Sequence, residues 1–184
     1  MAEGGCEEDV VVVQGRQPGF VYMIKRRCIR IQQKEFDWAV KETERVTAKK
    51  EQSDIFNSIR GNDKRRHQHD VTARKEISRV YMGLKRVLAT SRLLDSREFA
   101  EANLLWSDPQ CERQRYHSDY SESSYPSDYG PPASVLLALQ DSTYVWIEGT
   151  RFTLNKGDIC FFGGFVTHCG AAYTSKNVRL HVYL

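Results

Sequence analysis

The chain has 184 residues, which is enough for one domain with a sizeable core and short for two. Hydrophobic residues make up 40% and charged residues 28%, as in ordinary soluble proteins, and a net charge of only +3 dictates no partner. Five cysteines without a CxxC pair argue against a disulfide framework or a structural zinc site. No apolar run approaches the roughly 20 residues of a membrane helix. The acidic start is unlike a signal peptide, so we expect an intracellular, cytoplasmic protein without membrane contact.

Two amphipathic helices are predicted in the first half of the chain. The weaker pattern runs from about Lys34 to Lys50, and the clearer one from about Ala73 to Ser91. In the second, apolar residues recur at i, i+3, i+4 and i+7 while basic residues occupy the other face. The charged stretch between them, Asn62 to Asp70, is predicted to be a loop. Acidic residues are interleaved with the basic ones throughout, which favours ordinary helix surfaces over a nucleic-acid-binding face.

From Ala102 onward the sequence predicts short strands separated by Gly and Asn turns, a pattern typical of a β-sandwich, barrel or jelly roll. The predicted strands are 103–106, 134–139, 144–148, 151–154, 158–162, 166–172 and 178–184. A long polar loop, Tyr120 to Pro132, separates the first two strands, and such loops are often functional. Its Tyr120, Tyr125 and Tyr129 are candidate substrate-binding residues, and a plain surface loop is the alternative.

We predict a single domain with three parts. Residues 1–33 form an N-terminal segment with short strands, residues 34–100 form a helical brace, and residues 101–184 form the β core. The mixture of helices and short strands makes the fold class α+β, mainly β.

Three residues of the β core are candidate metal ligands. His117 and Asp119 form a His-x-Asp pair at the end of an extended segment, where alternate side chains share one face. His168 follows Asp119 by 49 residues (168 − 119), which is room for several short strands to return to the same place. Two histidines and one carboxylate form a facial triad that suits Fe(II) and leaves positions open. Arg179 follows, and its guanidinium fork suits a carboxylate ligand.

This set of residues resembles the motif of the Fe(II)- and 2-oxoglutarate-dependent oxygenases, over roughly residues 104–184. That family folds as a double-stranded β-helix, or jelly roll, so the resemblance implies such a core braced by the N-terminal helices. It further implies that His117, Asp119 and His168 hold Fe(II), and that Arg179 binds the far carboxylate of 2-oxoglutarate. The implied reaction consumes O2 and 2-oxoglutarate, yields succinate and CO2, and oxidises a substrate, with no catalytic residue beyond the metal ligands.

The chain departs from the family at one position. The family often carries Ser two residues after the Arg, where this chain has His181. Strand alternation places Arg179, His181 and Tyr183 on one face, so His181 or Tyr183 could replace the Ser. A tyrosine of another strand, Tyr116 or Tyr173, is the alternative.

Other interpretations stay open at this stage. A cupin-like metal enzyme that does not use 2-oxoglutarate and a non-catalytic binding module are the rival functions. Arg179 could form an ion pair with Glu148 or Asp158, and His67 and His69 lie in a charged stretch without a distant third ligand. The substrate could be a protein, a nucleic acid or a small molecule, because fold does not decide among them.

Overall fold

The computed structural model describes residues 10–14, 21–51, 65–90, 101–120 and 132–184. Two helices are present in this part of the chain, α1 at Gln33–Lys49 and α2 at Ser78–Thr90, the second preceded by a 3-10 turn at Lys75–Ile77. The strands are β1 Val10–Gln14, β2 Val21–Lys25, β3 Arg66–Asp70, β4 Glu101–Ser107, β5 Ala133–Ala138, β6 Thr143–Ile147, β7 Thr150–Leu154, β8 Ile159–Gly163, β9 His168–Gly170 and β10 Asn177–Tyr183. Neither described helix is long and apolar enough to cross a membrane.

The strands form two antiparallel sheets that face each other. The larger sheet has the order β1-β2-β8-β5-β10-β4-β3, and the smaller has the order β7-β6-β9. Isolated bridges from Cys111 to Tyr173 and from His117 to His168 add the segment 111–117 beside β9. Apolar side chains from both sheets meet in one cluster between them, which includes Leu136, Val145 and Phe162. This is the double-stranded β-helix that the family resemblance implies.

The helices pack against the outer face of the larger sheet. Val178, Leu180 and Val182 of β10 lie in one buried cluster with residues of α1 and α2. The stripe Val80, Leu84 and Leu88 of α2 is completely buried there. The predicted helical brace is therefore present, and it leaves the inner face of β10 free to line a site between the sheets.

One predicted loop is in fact a strand. The stretch from Asn62 to Asp70 was expected to be a loop, but its described part forms β3, which pairs with β4 from Arg66 opposite Ser107 to Asp70 opposite Asn103. Arg66 is only 3% exposed. Its guanidinium donates hydrogen bonds to the backbone carbonyls of Glu112 and Ala171. These bonds offset the cost of burying the charge, whereas the polar composition of the stretch predicts an exposed side chain. The segment predicted as the brace thus also supplies an edge strand to the core sheet.

An ion pair joins the two helices. The carboxylate of Glu35 accepts hydrogen bonds from Nε and Nη2 of Arg79, both at 2.6 Å, and from the backbone N–H of Gln32 at 2.7 Å. Glu35 is 3% exposed, although Arg79 is about half exposed. Burial alone would raise the pKa of Glu35, but these hydrogen bonds outweigh it and lower the pKa.

We expect Glu35→Gln to lower the free energy of unfolding by about 1–2 kcal/mol near neutral pH, since it weakens both the helix cap and the ion pair. Because the pKa of Glu35 is lower in the folded state than in the unfolded state, its ionised carboxylate stabilises the fold at pH values above the unfolded-state pKa. This contribution is lost as the pH falls through the folded-state pKa. Urea unfolding of both proteins should therefore show a difference that shrinks in acid. Glu44→Gln, on the exposed side of α1, is the control. A difference that is the same at all pH values would contradict this account.

Candidate metal centre

His117 and His168 lie directly opposite each other on neighbouring extended segments. The N–H of His117 donates to the carbonyl of His168 at 2.9 Å, and the reverse bond is 2.8 Å. Paired residues of this kind project their side chains to the same side. The two imidazole rings are accordingly 4.6 Å apart, between centroids.

Hydrogen bonds fix which nitrogen each imidazole offers. Nδ1 of His117 lies 3.0 Å from the carbonyl oxygen of Arg115, and Nδ1 of His168 lies 2.9 Å from that of Val166. A carbonyl only accepts, so each Nδ1 carries a hydrogen, and in the neutral ring each Nε2 keeps a lone pair. This backbone support is typical of histidines that bind a metal through Nε2.

Asp119 completes a group of three ligands. One of its oxygens lies 3.5 Å from Nε2 of His168, and the other accepts a hydrogen bond of 2.5 Å from Ser134 Oγ. The ligand atoms of His117, Asp119 and His168 all lie within 4.8 Å of one another, the only such group in the part of the chain that the structure describes. Two neutral imidazole nitrogens and one carboxylate oxygen suit Fe(II) with open positions, so these donors fit the predicted ion.

The backbone also fixes Asp119 from its far side. The N–H of Tyr120 donates to the carbonyl of Gly164, whose own N–H donates to the carbonyl of Pro132. A Cβ on Gly164 would lie 2.4 Å from the ring of Tyr120, so only glycine permits this approach. Asp119 therefore sits between two fixed backbone contacts, the His117 pairing and the Tyr120 pairing.

The electrostatics of the three residues favour a bound cation. Burial would raise the pKa of Asp119, but the hydrogen bond and charge of His168, with smaller contributions from His181 and Ser134, hold it well below its usual range. Burial lowers the pKa of His117. Burial would also lower that of His168, yet Asp119 outweighs this effect and raises it. The carboxylate is thus ionised, and a metal ion would compete with a proton for His168.

The inner face of β10 continues the site away from the metal ligands. Arg179, His181 and Tyr183 alternate with the residues that face the helices, as predicted, and all three line one cavity with the ligands. Arg179 is 3% exposed. Its Nη1 donates to Ser107 Oγ at 3.1 Å and to Asn177 Oδ1 at 3.4 Å, so the guanidinium has a fixed orientation.

His181 is turned towards the metal ligands. Its Nε2 lies 3.7 Å from an oxygen of Asp119, and its buried Nδ1 has no hydrogen-bond partner in the described structure. Burial lowers the pKa of His181 to about 4, so the ring is neutral at physiological pH. Tyr183 packs against it, with ring centroids 4.4 Å apart, and burial raises the pKa of its hydroxyl. His181 therefore lies close to the candidate ligand Asp119, and Tyr183 packs beside it.

The cavity between the sheets has a volume of about 180 Å³. The three candidate ligands and Arg179 all line it. Its remaining lining residues are Leu105, Gln114, Ser118, Tyr144, Leu136, Val145, Phe162, Gly170, His181 and Tyr183. Sequence reasoning missed Gln114 and Tyr144, and it also missed Ser107 and Ser134, which orient Arg179 and Asp119. Ser134 had a signal, since it is a polar residue in a predicted strand that is otherwise apolar.

Some of the predicted cosubstrate- and substrate-binding residues that the structure describes do not line the cavity. Tyr116 is 40% exposed and packs on the guanidinium of Arg113 at 5.5 Å. The hydroxyl of Tyr173 donates to the carbonyl of Tyr144 at 2.9 Å and accepts from its N–H at 2.7 Å. Tyr120 contacts the ring of Tyr183, while Tyr125 and Tyr129 lie outside the described residues.

The alternative pairing of Arg179 with Asp158 and a second metal site at His67 and His69 find no support in the described structure. Asp158 binds Arg26 at 2.8 Å and the backbone N–H of Arg27 at 2.7 Å, so other groups engage its carboxylate. His67 pairs with Asp108 at 2.9 Å, whereas His69 lies 3.7 Å from Glu42. The two β3 histidines therefore have separate partners and form no second metal site among these residues.

No family model matches the chain, and no curated protein matches it in sequence. Solved structures do resemble it. A Pseudomonas putida prolyl-4-hydroxylase is 16% identical with a TM-score of 0.62, over 88% of this chain and 90% of that one. HygX from Streptomyces hygroscopicus, solved with nickel and 2-oxoglutarate, is 11% identical with a TM-score of 0.61, over 88% and 81%. A Trichoplax adhaerens prolyl hydroxylase bound to a hypoxia-inducible-factor peptide fragment is 10% identical with a TM-score of 0.63, over 88% and 82%.

Two further neighbours, the carbocyclase SnoK and the epimerase SnoN of nogalamycin biosynthesis, are non-haem α-ketoglutarate-dependent enzymes. The chain shares the double-stranded β-helix fold of these structures. The resemblance that the sequence motif indicates is thereby confirmed at the level of the fold.

Proposed function

We propose that this chain is an oxygenase that depends on Fe(II) and 2-oxoglutarate. One observation carries the proposal. A His-Asp-His group and a buried arginine with a fixed orientation line the same cavity of a fold shared with such enzymes. A cupin-like enzyme without 2-oxoglutarate has no need for Arg179 in this position.

The residues have distinct parts in this proposal. Nε2 of His117, Nε2 of His168 and the Asp119 carboxylate would hold the ion, and Ser134 keeps the carboxylate oriented. Bound Fe(II) would supply the activation of O2, coupled to oxidative decarboxylation of the 2-oxo acid.

Arg179 would bind the cosubstrate, because its guanidinium suits the far carboxylate of a five-carbon diacid. Since Arg179 lines the same cavity as the three candidate ligands, the other end of that diacid could lie at the metal. Leu105, Leu136 and Phe162 line the space and would limit the access of water to it.

We expect the protein, prepared without oxygen, to develop a weak visible charge-transfer band when Fe(II) and 2-oxoglutarate are both added. On exposure to air it should release succinate. The screen should cover peptides, nucleic acids and small molecules. Its scope follows from the neighbours, which include prolyl hydroxylases and the epimerase SnoN of nogalamycin biosynthesis. Asp37→Ala, on the exposed side of α1, is a control that should behave as the wild type. Absence of both the band and succinate would refute the proposal.

A further inference from the structure

The outer face of the smaller sheet carries aromatic and basic side chains that the proposed function does not use. Val145 and Ile147 of β6 lie in the buried cluster between the two sheets, so strand alternation places Trp146 on the opposite, outer face. Trp146 is half-buried, and the exposed Arg151 of β7 lies directly opposite it in the register. The two described helices pack against the larger sheet, so neither of them covers this face.

Arg113 joins two rings on this face. Its Cζ lies 4.9 Å from the ring centroid of Trp146 and 5.5 Å from that of Tyr116, whose side chain is 40% exposed. Arg151 in turn lies over the ring of Tyr144, with 5.2 Å from Cζ to the centroid. Rings and arginines therefore alternate across the sheet in an aromatic–arginine row that consists of Tyr116, Arg113, Trp146, Arg151 and Tyr144.

The two arginines of the row have aromatic rings as partners and no carboxylate. In the part of the chain that the structure describes, no ion pair includes Arg113 or Arg151. Both side chains are exposed. A guanidinium that lies over a ring keeps the N–H donors in its own plane for another group. The row therefore presents two positive charges that suit an anionic partner.

The alternation of rings and charges favours a single-stranded nucleic acid as that partner. Every base has a flat face that stacks on an aromatic ring, and each base is followed by a phosphate that a positive charge attracts. An acidic peptide or a lipid surface would match the charge but leave the rings without a stacking partner. The row crosses four neighbouring segments, from 111–117 through β9 and β6 to β7. Three spacings of about 4.8 Å give it a length of about 14 Å, which is room for a short stretch of nucleotides.

We propose that the aromatic–arginine row is a binding surface for single-stranded nucleic acid. Bases stack on Tyr116 and Trp146, while Arg113 and Arg151 bind phosphates. Tyr144, at one end of the row, also lines the cavity of the candidate metal centre, so the surface extends to the wall of that cavity. The inference does not depend on the proposed function, since it requires neither the metal ion nor 2-oxoglutarate.

Tyr116→Leu tests the stacking, because it removes an exposed ring and keeps an apolar side chain. The probe is a fluorescein-labelled single strand of mixed sequence, about 12 nucleotides long, and fluorescence anisotropy measures its binding to the full chain. We expect the variant to bind at least about fivefold more weakly, which is the lower end of the effect of one stacked base. Tyr81→Leu on α2 is the matched control, since that ring also carries a cation, with Lys85 Nζ at 5.1 Å.

Arg113→Gln and Arg151→Gln test the phosphate contacts. Each variant should bind the strand more weakly, and the slope of log affinity against log salt concentration should become shallower by about 0.7 for each arginine removed. Arg86→Gln, on the exposed side of α2, removes the same charge from another face and should keep the slope of the wild type. Circular dichroism of each variant checks that the fold is retained.

Heparin, a polyanion without bases, separates stacking from charge. It should bind Tyr116→Leu and the wild type alike, whereas the oligonucleotide should distinguish them. An oligonucleotide that also binds both proteins alike would leave a general anion-binding surface and overturn the inference. So would an equal change of slope in Arg86→Gln and the two row variants. A wild type that binds no single strand would likewise overturn it and leave the proposed function, which the charge-transfer band tests, unaffected.

Discussion

Replacing His168 with alanine is expected to weaken metal binding by at least about 100-fold, because it removes one of three protein ligands. It also removes the principal partner of the Asp119 carboxylate, whose oxygen lies 3.5 Å from Nε2 of His168. Equilibrium dialysis with Fe(II) under anaerobic conditions measures the loss directly. The visible band with 2-oxoglutarate and the release of succinate should disappear together.

A histidine outside the site provides the control for this experiment. His67 on β3 pairs with Asp108, lies outside the cavity and is replaced by alanine in the control protein. Asp119→Asn is a second variant that keeps the shape of the side chain and removes its charge, and it too should lose the ion. Tight iron binding that survives both His168→Ala and Asp119→Asn would show that other residues are the ligands.

Much of the site could be predicted from the sequence, by strand alternation and by the spacing of the motif. The period of two along β10 correctly put Arg179, His181 and Tyr183 on one face, since a buried sheet fixes its register. The same rule argues against Tyr116 as a residue of the cavity, because it directly precedes His117 in an extended segment and its side chain must point to the opposite side. Its exposure and its contact with Arg113 agree with that argument.

Gln114 could not be assigned to the cavity by alternation. It lies three residues before His117, so a regular strand would place the two side chains on opposite faces. Both nevertheless line the cavity, because the segment forms only isolated bridges at Cys111 and His117 and is irregular between them. Hydrogen bonds join this segment to Gly170 and Arg66, which are distant in sequence.

The strand β3 was missed for a related reason. Its residues are charged or polar, which by composition predicts a loop. Arg66 is buried because the carbonyls of Glu112 and Ala171 accept its hydrogen bonds. These carbonyls lie close to Arg66 only in the folded sheet, so no local sequence pattern predicts its burial.

Arg179→Met is expected to separate cosubstrate binding from metal binding. Methionine fills much of the same volume but offers no charge, so the affinity of the Mn²⁺-loaded protein for 2-oxoglutarate should fall roughly 100-fold or more. The 2-oxoglutarate affinity of Arg179→Lys should lie between those of the wild type and Arg179→Met. An ammonium keeps the charge but lacks the planar guanidinium fork that Ser107 and Asn177 orient. Affinities for Mn²⁺ and oxalate should stay near those of the wild type, in contrast to the His168→Ala protein.

Arg86→Met, on the exposed side of α2, controls for the loss of an arginine elsewhere. Full turnover by Arg179→Met would favour a cupin-like enzyme that needs no 2-oxoglutarate and would overturn the proposed function. Weak 2-oxoglutarate binding in Arg179→Met combined with normal Mn²⁺ binding would assign the guanidinium to the cosubstrate and leave the ion to the three candidate ligands. The Arg179 and His168 variants therefore test cosubstrate binding and metal binding separately.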